Sequence, residues 1–206
     1  METVLIGSSI AQQYNKDHTF KYYFYHKGEL TNRTLTELRI WLDQKQIKYK
    51  TAYVMGGNTI FPSKIHRTRQ NKQHCCFKPF DEGKVQTLYN KLVEILSEHC
   101  LHILIVEPNP RCLPDLSTLA NCVTYGKHCE ERFRNIINQI PRRRLDKDDL
   151  HIVPVGVISM NTICGYLGTR DKKDITSPDN IHPTAATIKI LKTLISDLKP
   201  IGYEKC

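Results

Sequence analysis

Near the C-terminal end of the sequence, an acid precedes an imidazole at a spacing that suits general base catalysis. Asp179 lies three residues before His182 in the pentapeptide Asp179-Asn180-Ile181-His182-Pro183. A carboxylate at this spacing can accept a hydrogen bond from the imidazole Nδ1–H, which sets the tautomer and leaves Nε2 free as a base. The pair therefore predicts a general base whose nucleophile lies elsewhere in the chain.

A candidate nucleophile lies at the opposite end of the sequence. Thr3 to Ile6 has the apolar character of a short buried strand, and Gly7-Ser8-Ser9-Ile10 follows it directly. A strand that breaks at glycine and presents a serine before a helix is typical of the way hydrolase folds expose a hydroxyl at a sheet edge. Either Ser8 or Ser9 satisfies this pattern.

Two further short motifs that contain glycine follow predicted strands. Gly28 comes shortly after the strand predicted over Phe20 to Tyr25, and the tripeptide Gly56-Gly57-Asn58 comes directly after the strand predicted over Thr51 to Met55. Taken singly, Gly28 could supply a positive φ at a turn and Asn58 could close one. Taken with the serines, both lie where the carboxyl ends of parallel strands would bring them together.

These motifs, in this order along nearly the whole chain, resemble the SGNH (GDSL-type) hydrolase superfamily. The resemblance implies a Ser-His-Asp triad made of Ser9, His182 and Asp179, and the family register favours Ser9 over Ser8. It also implies an oxyanion hole formed by the backbone N–H groups of Ser9 and Gly28 and the side-chain amide of Asn58. No metal or organic cofactor is implied.

The sequence departs from the family pattern at two positions. The first block is usually Gly-Asp-Ser, and here its middle residue is Ser8; the third block usually ends Asn-Asp, and here Thr59 follows Asn58. Neither change removes a member of the triad or of the oxyanion hole. Both remove carboxylates near the floor of the site, which puts its local hydrogen bonding and substrate range in question.

The periodicity of apolar residues predicts the elements that must position this site. Short apolar runs alternate with segments that have one apolar face, which indicates a parallel sheet covered by helices. We predict a three-layer α/β/α, flavodoxin-like fold with five parallel strands and residues 1–206 in a single domain. The remaining predicted strands are Leu101 to Val106 and His151 to Val155. One helix is predicted to begin at Ser9, and four others are predicted over Thr34 to Gln44, Lys84 to His99, Tyr125 to Ile140 and Thr184 to Leu198.

Two segments interrupt the alternation. Residues 60–83 contain Pro62 and Pro79 together with a cluster of basic residues, so we predict a long basic insertion beside Asn58 that forms a lid or a wall. Residues 107–124 follow the fourth strand and contain three prolines. Substrate choice is expected to depend on these two loops.

Charge and composition bear on partners and location. Thirty Lys and Arg residues against twenty-one Asp and Glu give a formal net charge of +9, concentrated in 60–83 and at Arg142-Arg143-Arg144. A basic patch can attract nucleic acid, and SGNH-like domains also occur in proteins of some LINE-type retrotransposons and viruses. We favour a solvated surface, because Asp146, Asp148 and Asp149 closely follow the arginines.

The remaining sequence features indicate an intracellular protein. No apolar run is long enough to span a bilayer, and the first residues lack the pattern of a signal peptide, so a cytoplasmic location is expected. The eight cysteines are scattered and favour reduced thiols, and His74-Cys75-Cys76 lacks the spacing of a zinc site.

Two functions are consistent with these features. The first is a serine esterase that hydrolyses a small acyl ester. The second is a catalytically weakened SGNH-like module that binds nucleic acid or a protein partner through its basic loops.

Overall fold

A computed structural model of the chain describes residues 2–28, 30–56, 63–67, 73–77, 81–109, 131–140, 155–178 and 182–197. For 63–67, 73–77 and residue 172 it describes the backbone alone. The described strands are β1 Thr3–Gly7, β2 Tyr22–Tyr25, β3 Tyr49–Met55, β4 Ser63–Arg67, β5 Gln73–Phe77, β6 Cys100–Val106 and β7 Val155–Ile158. The described helices are α1 Ser9–Tyr14, α2 Asn32–Lys45, α3 Glu82–His99, α4 131–138, α5 Met160–Leu167, α6 Lys172–Ile175 and α7 Ala185–Asp197.

The central feature is a five-stranded sheet with the order β2-β1-β3-β6-β7. Every neighbouring pair in it is parallel. In sequence order these strands are 2-1-3-4-5, which is the flavodoxin-like arrangement. The predicted fold class, a three-layer α/β fold with five parallel strands, is confirmed.

Side chains of the central strands alternate between two apolar cores. In β3, Ala52 and Val54 belong to one core, whereas Tyr53 and Met55 belong to the other. This alternation follows from the two-residue repeat of an extended strand. A strand covered on both faces must therefore be apolar at nearly every position, as β1, β3 and β6 are.

The first core lies beneath α2, α3 and α4. Leu38 and Leu42 of α2 and Leu92 and Leu96 of α3 are at most 2% exposed, and Phe133 of α4 joins them. Burying one such side chain stabilises the fold by about 1.5–3 kcal/mol. Both long helices begin at side-chain caps: Thr31 Oγ1 accepts from the Thr34 N–H and Asp81 Oδ1 accepts from the Lys84 N–H.

The second core lies beneath α1, α5 and α7 on the other face of the sheet. It contains Tyr14 of α1, Met160 and Ile163 of α5, and Leu191 and Leu194 of α7. This layer is the one that carries Ser9 at the start of α1 and His182 just before α7. The fold therefore brings the two ends of the described chain to the same side of the sheet.

The fifth parallel strand differs from its prediction. The sequence predicted a strand over His151 to Val155, but β7 covers Val155–Ile158 at the edge of the sheet, and 151–154 lie outside the described residues. The interior glycine explains the error, because Gly156 interrupts the apolar pattern. A Cβ on Gly156 would lie 2.6 Å from Leu104 Cδ2 of β6, so glycine leaves room for the Leu104 side chain.

Four other described elements had no counterpart in the prediction: β4, β5, α5 and α6. Residues 60–83 were predicted to be a loop, but their described backbone forms an antiparallel hairpin of β4 and β5, in which Ile65 pairs with Cys75. The helix α5 was also missed. Its signals are local: Ser159 Oγ accepts from the Thr162 N–H at the start, and Gly168 adopts the left-handed conformation at the end.

Candidate active site

Ser9 is the first residue of α1 and follows β1 after a single intervening residue. A Cβ on Gly7 would lie only 1.7 Å from the Met55 carbonyl oxygen, so only glycine allows β1 and β3 to approach this closely. The Ser8 N–H donates to the same oxygen at 3.2 Å. Backbone contacts with β3 therefore fix the turn that presents Ser9.

The two neighbouring serines occupy different environments. Ser8 is 7% exposed, and a Cβ on Gly56 would lie 3.2 Å from its Oγ. Ser8 thus packs at the carboxyl ends of β1 and β3. Ser9, in contrast, is exposed to solvent.

His182 lies in a turn between α6 and α7, and its Nε2 is 3.0 Å from Ser9 Oγ. This distance is within the hydrogen-bonding reach expected of a nucleophile and its general base. The turn is anchored on the far side of the histidine, because Thr176 and Pro183 form an antiparallel bridge and the Thr184 N–H donates to the Ile175 carbonyl at 2.9 Å. The structure thus brings together two residues that are 173 positions apart in sequence.

Gly28 lies at the same edge of the sheet. β2 ends at Tyr25, which pairs with Gly7, and the His26 N–H continues the ladder by donating to the Gly7 carbonyl at 2.9 Å. Gly28 has a φ of 68°, and no described atom lies within 4 Å of an added Cβ. The left-handed conformation, and not crowding, is what favours glycine here.

The imidazole of His26 is an unusual group beside this turn. Its Nδ1 is buried and has no hydrogen-bond partner among the described residues. Burial lowers the pKa of His26, and the nearby Gly28 backbone opposes this shift to a smaller extent. The ring is therefore favoured in its neutral form next to Gly28.

Two predicted site residues, Asn58 and Asp179, lie outside the described residues, as does Thr59. Their roles as an oxyanion donor and as the orienting acid stay predictions. Of the five predicted site residues, the described structure places Ser9 and His182 in contact and Gly28 at the same sheet edge.

A small cleft lies near the Ser9–His182 pair. Its lining includes Ile10, which follows Ser9, and Pro183, which follows His182. The ends of β3 and β6 form its floor, and side chains of α5 and α7 form its walls. Most of these side chains are apolar: Ile10, Met55, Val106, Met160, Ile163 and Leu191.

Sequence reasoning missed two buried polar residues at this cleft. Glu107 and Asn109, which directly follow β6, are 2% and 6% exposed. Glu107 Oε2 accepts from the Met160 N–H at 2.6 Å, and its Oε1 lies 3.9 Å from Arg134 Nε. The signal was available in the sequence, because polar residues directly after a buried strand lie at the edge where ligands bind.

The described part of the chain supplies no group of three or more His, Cys, Asp or Glu residues that could hold a metal ion. The basic side chains of 60–83 and of Arg142-Arg143-Arg144 lie outside the described side chains. No described helix is long and apolar enough to cross a membrane.

Comparisons with known proteins relate this geometry to solved structures. No family model matches the chain, and no curated protein matches its sequence. The chain is similar in structure to a protein described as a putative platelet activating factor from Streptococcus pneumonia, with a TM-score of 0.54, 11% identity, and coverage of 95% of this chain and 82% of that one. TesA gives a TM-score of 0.51 at 13% identity, with 97% and 99% of the two chains covered.

A lipase/acylhydrolase from Enterococcus faecalis gives a TM-score of 0.50 at 11% identity, covering 95% of this chain and 93% of that one. These similarities extend over almost the whole of each chain, but at such identities they concern the fold. The chain therefore shares the fold of these three proteins.

Proposed function

We propose that the chain is a serine esterase that hydrolyses a small acyl ester. The observation that carries this proposal is the 3.0 Å contact between Ser9 Oγ and His182 Nε2 at the carboxyl edge of a parallel sheet. The similarity in fold to a lipase/acylhydrolase supports it. The exposure of Ser9 and the burial of Ser8 support Ser9 as the nucleophile.

In the proposed reaction, Ser9 Oγ attacks the carbonyl carbon of the ester while His182 Nε2 accepts its proton. The oxyanion that forms is stabilised by the backbone N–H groups of Ser9 and Gly28 and by the side-chain amide of Asn58. His182 then donates the proton to the leaving alcohol, and the acyl group stays bound to Ser9. A water molecule, deprotonated by His182, attacks the acyl-enzyme; His182 then returns the proton to Ser9 Oγ as the bond to the acyl group breaks and the acid is released.

Asp179 serves in this scheme as the acid that orients the His182 imidazole and stabilises its charged form. The proposal assigns the acyl group to the cleft beside Ser9, because its lining is mainly apolar and it begins at Ile10 and Pro183.

The test combines ester turnover with covalent labelling. Wild-type protein is expected to hydrolyse p-nitrophenyl acetate and to react with a fluorophosphonate probe. Ser9→Ala should abolish labelling and lower kcat by a factor on the order of 10⁶, as loss of a triad serine does. It should leave the melting temperature nearly unchanged, since the Ser9 side chain is exposed.

Ser8→Ala is the matched control, because it makes the same chemical change one residue earlier. We expect it to keep the probe reaction. Loss of labelling in Ser8→Ala with retention in Ser9→Ala would show that the assigned nucleophile is wrong. A wild-type protein that neither labels nor turns over the ester would overturn the proposed function itself.

A further inference from the structure

We propose that Ser177 is a positioning residue that holds the main chain of His182 so that Nε2 stays directed at Ser9, and that Asn109 anchors it to the sheet through Thr176. This inference rests on the proposed role of His182 as the general base. It concerns residues that the triad and the oxyanion hole do not include.

Ser177 makes two hydrogen bonds to one acceptor. Its N–H donates to the His182 carbonyl oxygen at 2.8 Å, and its Oγ donates to the same oxygen at 2.9 Å. A carbonyl oxygen has two lone pairs, and two donors from one residue fix its direction more tightly than a single bond does. The N–H bond alone would close the turn, so the hydroxyl supplies an additional constraint on the backbone of His182.

The constraint matters because His182 is outside regular secondary structure. Ser9 begins a helix and follows a strand, whereas His182 lies in a turn that the described chain enters from α6 and leaves into α7. Reaction rates are sensitive to displacements of about 1 Å in the reacting groups. A turn that carries a general base therefore needs bonds that hold its backbone in place.

The segment that contains Ser177 is connected to the sheet by a buried hydrogen bond of the preceding residue, Thr176. Asn109, three residues beyond the end of β6, donates from Nδ2 to Thr176 Oγ1 at 3.0 Å. Both residues are buried, with 6% and 4% of their surfaces exposed. Inside a protein such a bond is stronger than in water, and breaking it leaves a costly unpaired group.

Thr176 occupies the position that joins these contacts. It accepts the bond from Asn109, pairs with Pro183 next to the histidine, and directly precedes Ser177. A continuous set of contacts therefore leads from the carboxyl end of β6 to the His182 main chain. Every residue of this path belongs to the described part of the chain, and residues 179–181 do not.

The first experiment measures kcat and KM for p-nitrophenyl acetate, with active sites counted by fluorophosphonate titration. Ser177→Ala is expected to lower kcat per titrated site by a factor between about 10 and 100, because the base is less well held. KM should change little, since Ser177 does not line the cleft. Ser177→Thr keeps a hydroxyl and should recover most of the lost kcat.

Ser196→Ala is the matched control. It removes a hydroxyl that donates to a main-chain carbonyl at 2.8 Å, but on the last turns of α7, away from His182. It should leave kcat per titrated site unchanged. If Ser177→Ala behaves like Ser196→Ala, or if its kcat loss is matched by a loss of titratable sites, Ser177 has only a structural role and the inference is wrong.

Thr176→Val tests the anchor and remains informative if Ser177→Ala fails to fold. It keeps the shape of the side chain and removes the acceptor of the Asn109 bond. We expect a smaller decrease in kcat per titrated site than in Ser177→Ala, again without a change in KM. An unchanged kcat would show that the bond between Asn109 and Thr176 does not help to position His182. A wild-type protein that fails to label overturns the proposed function instead, which keeps the two failures distinct.

Discussion

The two members of the Ser9–His182 pair are held by different kinds of contact. Ser9 is positioned by backbone, through the close approach of Gly7 to Met55 and the Ser8 N–H bond to the same carbonyl. His182 is positioned by main-chain bonds of its turn and, in addition, by side-chain hydroxyls, those of Ser177 and Thr184 among them. We therefore expect Ser9 to be held as firmly as the sheet, and His182 to be displaced more easily when hydroxyl bonds of its turn are removed.

The largest loss of stability is expected from a change at Gly7, where β1 approaches β3 before Ser9. In Gly7→Ala the new Cβ would meet the Met55 oxygen at 1.7 Å and Ala11 Cβ at 2.8 Å, so β1 and β3 would have to separate. We expect a loss of more than about 4 kcal/mol in the free energy of unfolding, measured by urea denaturation, with loss of activity in parallel.

Gly165→Ala provides the control for that prediction. Gly165 lies within α5, and no described atom lies within 4 Å of an added Cβ. The same substitution should stabilise the protein by about 0.5–1 kcal/mol, because glycine costs that much in a helix. Similar effects of the two substitutions would contradict the view that close strand approach decides the position of Ser9.

A smaller loss of stability is expected from removing a hydroxyl bond in the turn that contains His182. Thr184 Oγ1 donates to the Asp174 carbonyl at 2.7 Å and accepts from the Thr187 N–H at 3.2 Å at the start of α7. Thr184→Val should lower the free energy of unfolding by about 1–2 kcal/mol, the usual cost of a lost cap and hydrogen bond.

The same variant should lower kcat more than stability alone explains, because Thr184 lies two residues after His182. Thr193→Val removes a comparable hydroxyl bond to the Lys189 carbonyl within α7 and is the control. Equal kcat values in the two variants at a temperature where both are folded would show that the anchoring of the turn has no bearing on the base.

The smallest effect concerns the pH dependence of stability and His26, whose N–H donates to the Gly7 carbonyl. Because burial lowers the pKa of His26, the unfolded chain takes up a proton there more readily than the folded one does. The contribution to stability is thus complete above about pH 6.5, the ordinary histidine value, and is lost as the pH falls from there through the lowered pKa of the folded state. We expect the free energy of unfolding, measured by urea denaturation between pH 7.5 and 5, to fall less steeply with decreasing pH in His26→Gln than in the wild type. Parallel pH dependences in the two proteins would contradict this expectation.

Sequence patterns predicted the elements that have long apolar periods. The stripe of α3 and the continuous apolar runs of β1, β3 and β6 appear where expected, since both faces of these strands are buried. β7 was misplaced because Gly156 breaks its pattern. The hairpin of β4 and β5 was missed because its sequence contains no comparable apolar alternation.

The site was predictable only in part. Strand-end positions for Ser9 and Gly28 follow from local patterns, because parallel strands bring their carboxyl ends to one edge. The bond between Asn109 and Thr176 joins residues 67 positions apart, and neither local sequence contains a pattern that identifies the other. Such polar pairs depend on how loops lie in three dimensions, which periodicity does not describe.

The separation of 173 residues between Ser9 and His182 also has a kinetic consequence. We expect a contact that spans so much chain to form late in folding, because non-local pairing is slow. The serine and its turn can be complete once β1 and β3 meet, long before the histidine arrives. Reactivity of Ser9 toward a fluorophosphonate during refolding would thus report the final step of assembly, later than the recovery of helical content.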